Sequence, residues 1–105
     1  MFDVDVVIVS RHKSTVEYLK TIFGNAEVVD HLTPEDIEKI KGKIVVGNLP
    51  IDMIAELLKN GNRFVLVTLN VPRELRGKEL SLKEVKKYCK LYEIVDLKLS
   101  EFVVI

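Results

Sequence analysis

The sequence has one cysteine, Cys89, no tryptophan, no glutamine and no surplus of charge: 16 Lys and Arg balance 16 Asp and Glu. A lone cysteine excludes a disulfide framework within the chain and fits a reducing cytoplasmic setting. Charge balance argues against a general binder of duplex DNA or RNA, which carries a basic face. It leaves room for a small basic pocket that holds a compact anion. No apolar run approaches the length of a membrane span, and nothing ahead of the first apolar run has the make-up of a secretion signal. No membrane partner is therefore expected.

The signatures of the common α/β chemistries are also missing. There is no Walker A sequence, no GxGxxG, no CxxC and no GxSxG. A phosphate-accepting receiver domain needs acids at the carboxyl ends of its strands, whereas Asp3 and Asp5 stand at the start of the first one. His12 and His31, with a single cysteine, are too few and too scattered for a zinc site. No carboxylate cluster marks a two-metal phosphodiesterase. The expectation is anion chemistry without metal or cofactor.

What is present is a strong α/β pattern. At 105 residues and 48% hydrophobic content, the chain suits one domain, 1–105, with a real core. Val4, Val6, Val7, Ile8 and Val9 form a β-branched run of the kind that is covered on both faces of a sheet. Ser10-Arg11-His12-Lys13 interrupts it, and Ser14 with Glu17 reads as a capping box opening a helix over 14–23, closed by Gly24. A short strand over 26–29 follows. Thr33-Pro34-Glu35-Asp36 then opens a helix to Lys41, with Thr33 as cap and Pro34 in the first position.

The next strand, 43–46, ends in Gly47-Asn48-Leu49-Pro50. A helix with Ile51, Ile54, Ala55, Leu57 and Leu58 on its apolar face stops at Gly61. A fourth strand spans 64–69. A long connection, 70–80, carries Arg73, Arg76, Lys78 and Glu79, and the Ser81/Glu84 capping box starts a last helix to about Leu91. On that helix Cys89 shares a core stripe with Val85 and Tyr92, and Tyr18, Tyr88 and Tyr92 read as helix-borne packing residues. The remainder, 93–105, alternates as one or two strands. Strands alternating with helices imply right-handed crossovers and a mainly parallel sheet of about five strands. Strand orders 3-2-1-4-5 and 2-1-3-4-5 both satisfy the pattern.

In a parallel sheet, ligands bind outside the carboxyl ends of the strands. That rim receives Ser10–Lys13, Gly47–Pro50 and the 70–80 connection, while Gly24-Asn25 and Gly61-Asn62 fall on the opposite, structural rim. Arg11 has the donor fork to hold a phosphate. His12 can move a proton near neutral pH. Ser10 can orient a hydroxyl or phosphate oxygen. Gly47 permits close approach of backbone to a ligand, and the 70–80 connection has the length of a clamp. Each of these is also what an ordinary exposed turn shows. His31 and Cys89 read as structural.

Together, Ser10-Arg11-His12, Val45-Val46-Gly47-Asn48-Leu49-Pro50 and Arg76-Gly77-Lys78-Glu79-Leu80-Ser81 resemble, in order and spacing, a small CRISPR-associated family of the Csx class, accessory to type III systems. Its members carry Ser or Thr before Arg-His after the first strand, a Gly-x-Leu-Pro turn in mid-chain and an Arg-Gly-x-Glu-Leu segment before the last helix. The resemblance spans nearly the whole chain. Asn48 departs from it, since the family more often has Thr or another small polar residue there, which leaves the side-chain role at that position open.

The family is similar to ring nucleases that remove cyclic oligoadenylate messengers. The resemblance implies a Rossmann-like, three-layer α/β/α fold and a homodimer that binds and cleaves cyclic tetra-adenylate. It places Ser10, Arg11, His12 and Arg76 in catalysis, and Gly47, Asn48, Leu49, Pro50, Arg73, Gly77 and Glu79 in ligand binding. The cleavage expected is attack of a ribose 2′-OH on the adjacent phosphate. The competing expectations are a sensor or sponge that binds without turnover, and a structural accessory of the CRISPR effector complex.

Overall fold

The first strand sets the arrangement of the rest. In the computed structural model, which describes residues 5–105, β1 (Val6–Val9) is buried along its whole length. Asp3 and Val4 lie outside the described residues. Successive side chains of a strand point to opposite faces, so β1 feeds two cores. Val6 and Ile8 pack with Ile44, Val46 and Val67, with Leu19 of α1 (Lys13–Ile22) and with Phe23 just after it. Val7 and Val9 pack with Val45 and Phe64, with Ile37 of α2 (Pro34–Lys39), and with Ile54 and Leu57 of α3 (Ile51–Lys59). Burying side chains of this size is worth about 1.5–3 kcal/mol each.

The strands are β1, β2 (Glu27–Val29), β3 (Ile44–Gly47), β4 (Arg63–Leu69) and β5 (Cys89–Ile94), and they form one five-stranded sheet in the order β2-β1-β3-β4-β5. Of the two orders the pattern allowed, this is 2-1-3-4-5. β1 pairs in parallel with β2 and with β3, bringing Val9 opposite both Val29 and Gly47. β3 pairs in parallel with β4. The β4–β5 pair is antiparallel. The mixed α/β class and the mostly parallel five-stranded sheet are as the sequence predicts.

Three local expectations are corrected. Ser14 does not cap α1: the helix starts one residue earlier, at Lys13, with His12 in the cap position and no side-chain cap. The reason is Ser10, whose Oγ accepts from the His12 backbone N–H at 3.2 Å and turns the chain early. The last helix, α4 (Leu82–Tyr88), does not reach Leu91. β4 offers a free edge, and from Cys89 onward the chain pairs with it, Cys89 opposite Leu69 and Ile94 opposite Phe64. Cys89 and Tyr92 are therefore strand residues, not a helical stripe. Cys89 packs half-buried against the core, and burial pushes its thiol pKa up, while Tyr92 is exposed. Finally, residues 95–105 form no strand. Leu97 packs on the α3 side of the core, but Phe102 and Val104 are 88% and 84% exposed.

The caps at Thr33 and Ser81 are as expected. Each hydroxyl accepts from the backbone N–H three residues on, and the Asp36 or Glu84 carboxylate accepts from the cap residue's own N–H. The Thr33 backbone amide, and after it the Thr33 hydroxyl, hold Asp36 below the usual carboxylate range; Lys39 and His31 add to this. On the rim opposite the strand carboxyl ends, buried Asn62 joins three elements. Its Nδ2 donates to Ile40 O and Leu57 O, both at 2.9 Å, and its Oδ1 accepts from Lys43 N at 3.0 Å. The structural role expected at Gly61-Asn62 has this bonding as its cause.

Candidate functional site

Three neighbouring strands deliver three turns to one place. β1 ends where Ser10 N donates to Val29 O at 3.0 Å, extending the β1–β2 ladder by one residue before the chain turns away. Ser10 Oγ is occupied as an acceptor by His12 N, which leaves its hydroxyl hydrogen to donate outward. Arg11 and His12 are exposed, and neither side chain has a hydrogen bond or ion pair among the described residues. α1 then begins without a side-chain cap, so the first amides of a ten-residue helix open onto the same region and favour an anion there.

β3 ends in Gly47, and its backbone accounts for the glycine. With φ at 154°, a Cβ on Gly47 would lie 2.5 Å from Val9 O. The close approach that demands glycine is thus to the β1 backbone. Asn48 Nδ2 donates to Val67 O at 2.8 Å, tying the turn to β4. This bond gives the Asn48 side chain a positioning role. Pro50 caps α3, its carbonyl accepting from Met53 N and Ile54 N. β2 ends in Asp30-His31-Leu32, just ahead of the Thr33 cap.

These turns surround an open cleft of about 440 Å³ at the carboxyl ends of β1, β2 and β3. Ser10, Arg11, His12, Gly47, Asn48, Leu49 and Pro50 all line it, over a floor that includes Val9, Leu19 and Val67. In strand order 2-1-3-4-5 the connection changes direction between β1 and β3, which is where such sheets bind ligands. The volume falls in the range of small-molecule sites, about 300–1,000 Å³.

A smaller hollow of about 150 Å³ adjoins it and shares His12, Thr15 and Leu69. Its other wall is Lys78, Glu79 and Leu80 from the 70–80 connection, facing Lys13 and Ser14. That connection is held by local turns, among them a 3-10 turn at Arg73–Leu75 and a left-handed Gly77 at φ 79°. Glu79 therefore comes beside the site, whereas Arg73, Arg76 and Gly77 line neither cleft. Among the described residues no three His, Cys, Asp or Glu gather as a metal centre would need. Among the described residues no helix is long and apolar enough to cross a membrane.

The sequence reading missed Thr15, Asp30 and His31. Thr15 is buried and lines both clefts. His31, expected to be structural, is exposed and lines the main cleft. No local signal finds it, because its position depends on β2 pairing beside β1.

A family model described as "Putative CRISPR-associated protein (Cas_VVA1548)" matches residues 7–97. The chain belongs to this CRISPR-associated family. The match covers the five strands, except Val6 at the start of β1, and every turn around the cleft. No curated protein and no solved structure shows significant similarity to the chain.

Proposed function

We propose that this protein is a ring nuclease that binds cyclic tetra-adenylate at the carboxyl rim of its sheet and opens the ring. The observation that carries the reading is the meeting of two distant motifs, Ser10-Arg11-His12 and Gly47-Asn48-Leu49-Pro50, in one cleft. Membership of a CRISPR-associated family is compatible with this reading. The Rossmann-like α/β/α class, the type III association, the cytoplasmic setting and the homodimer belong to the same proposal. A ring of four nucleotides exceeds one cleft of this volume, and a two-fold pair of subunits presents the cleft twice to a two-fold ligand.

The chemistry uses the substrate's own nucleophile. A ribose 2′-oxygen attacks the adjacent phosphorus, its proton passes to a base, the P–O5′ bond breaks, and the 5′-oxygen takes a proton. The products are a 2′,3′-cyclic phosphate end and a free 5′-hydroxyl. Arg11, which lines the cleft, offsets the charge that develops on the phosphoryl oxygens. Ser10 donates to the ribose or a phosphate oxygen. His12 transfers a proton, a role worth about 10²–10⁴-fold in rate. The Gly47-Asn48-Leu49-Pro50 backbone contacts the ring, with Glu79 in the adjoining hollow.

The test is incubation of the protein in excess EDTA with labelled cyclic tetra-adenylate, with products separated by chromatography. Linear adenylates ending in cyclic phosphate are expected. Intact ligand that co-elutes with the protein would replace the nuclease by a sensor or sponge. Intact ligand that does not bind, with protein that co-purifies with effector subunits, would make it a structural accessory.

A further inference from the structure

We infer that His31 is a second proton-transfer residue, forming with His12 the acid–base pair of the cleft. The inference rests on the ring-opening reading above and deepens it. The chain has two histidines, borne by turns after different strands, and both line the one cleft of about 440 Å³. His12 follows β1 and His31 follows β2, and the two strand ends are joined by the Ser10 N to Val29 O bond. Neither imidazole is committed to a hydrogen bond among the described residues, and both are exposed. An imidazole held for structural reasons is normally bonded or packed; these two are open to whatever fills the cleft.

The reaction needs two such groups. One takes the proton from the 2′-hydroxyl as the P–O2′ bond forms; the other gives a proton to O5′ as the P–O5′ bond breaks. One histidine must start neutral and the other protonated, and after the step their states are exchanged. No oxidant, metal or other co-reactant enters the balance. The charged groups that share the main cleft with His31 are Arg11, His12 and Asp30; a second groove that His31 also lines holds Glu27 at the start of β2, Asp36 and Lys39 of α2 and Lys43 ahead of β3.

The experiment is a single-turnover pH–rate profile of the full chain with cyclic tetra-adenylate, for the parent, His12→Ala and His31→Ala. The parent gives a bell. Each variant falls by about 10²-fold or more at the optimum and loses one limb, a different limb for each, and added imidazole restores part of the rate of His31→Ala. A merely structural histidine would leave both limbs in place and would not respond to imidazole. If the parent cleaves while His31→Ala keeps both limbs, or stays within about three-fold of the parent rate, this inference falls and the ring-nuclease reading stands. If the parent does not cleave at all, both fall.

Discussion

The two rims of this sheet are built from similar residue types and use them in opposite ways. On the amino-terminal rim, Asn62 spends its whole amide on backbone, two donors and one acceptor satisfied, and is buried. On the carboxyl rim, Arg11, His12 and His31 are exposed and make no side-chain hydrogen bond among the described residues. Even there, two residues are spent on shape: Ser10 accepts from His12 N, and Asn48 donates to Val67 O. The contrast teaches how to separate a structural turn from a functional one. Polar groups consumed by backbone hold the fold. Polar groups gathered around a cleft and left open are available to a ligand.

The largest expected break in this contrast is at His12. His12→Ala should lower turnover by about 10²–10⁴-fold and leave the urea midpoint within experimental error, since the side chain is exposed and unbonded. Asn62→Ala should do the reverse. It strands Lys43 N–H and the Ile40 carbonyl, while Leu57 O keeps its backbone amide donors, so the unfolding free energy should drop by about 2–4 kcal/mol, with turnover of the folded fraction unchanged. Gly47→Ala sits between the two. Its Cβ meets Val9 O at 2.5 Å, so β1 and β3 must part at the cleft, costing about 1–3 kcal/mol and weakening ligand binding at once.

How far the sequence reveals this division follows from range. The β1 run and the Thr33 and Ser81 caps are local signals and are legible as such. Ser14 misleads because the Ser10 turn, one step earlier, already starts α1. The Val85, Cys89 and Tyr92 spacing misleads because β4 has an open edge that pulls Cys89 into a strand. His31 and Thr15 join the cleft only through strand order, which no local pattern encodes. The Ser10 and Gly47 motifs are legible as candidates, but their meeting depends on Val9 lying opposite Gly47.

Acid sharpens the comparison further, with a smaller effect. In the folded chain the Thr33 amide holds Asp36 below the usual carboxylate range, and the Arg63 guanidinium, bonded at 2.7 and 2.9 Å, does the same to Glu93. A depressed carboxylate binds its proton more weakly folded than unfolded. Its contribution is therefore complete above the ordinary carboxylate range and is lost as pH falls through the depressed value. Urea midpoints should decline on acidification below about pH 4, and less steeply in Asp36→Asn. The smallest effect is expected from removing 100–105, whose Phe102, Val103, Val104 and Ile105 are exposed. Stability should change by less than about 0.5 kcal/mol, and solubility should rise.

The most direct test of the division between rims is to titrate the isotope-labelled His12→Ala protein with cyclic tetra-adenylate and follow backbone amide resonances. Shifts are expected to concentrate at residues 10–15, 30–32 and 47–53, with Asn62 and its neighbours unmoved. Shifts centred on the Asn62 rim, or none at saturating ligand, would contradict that division.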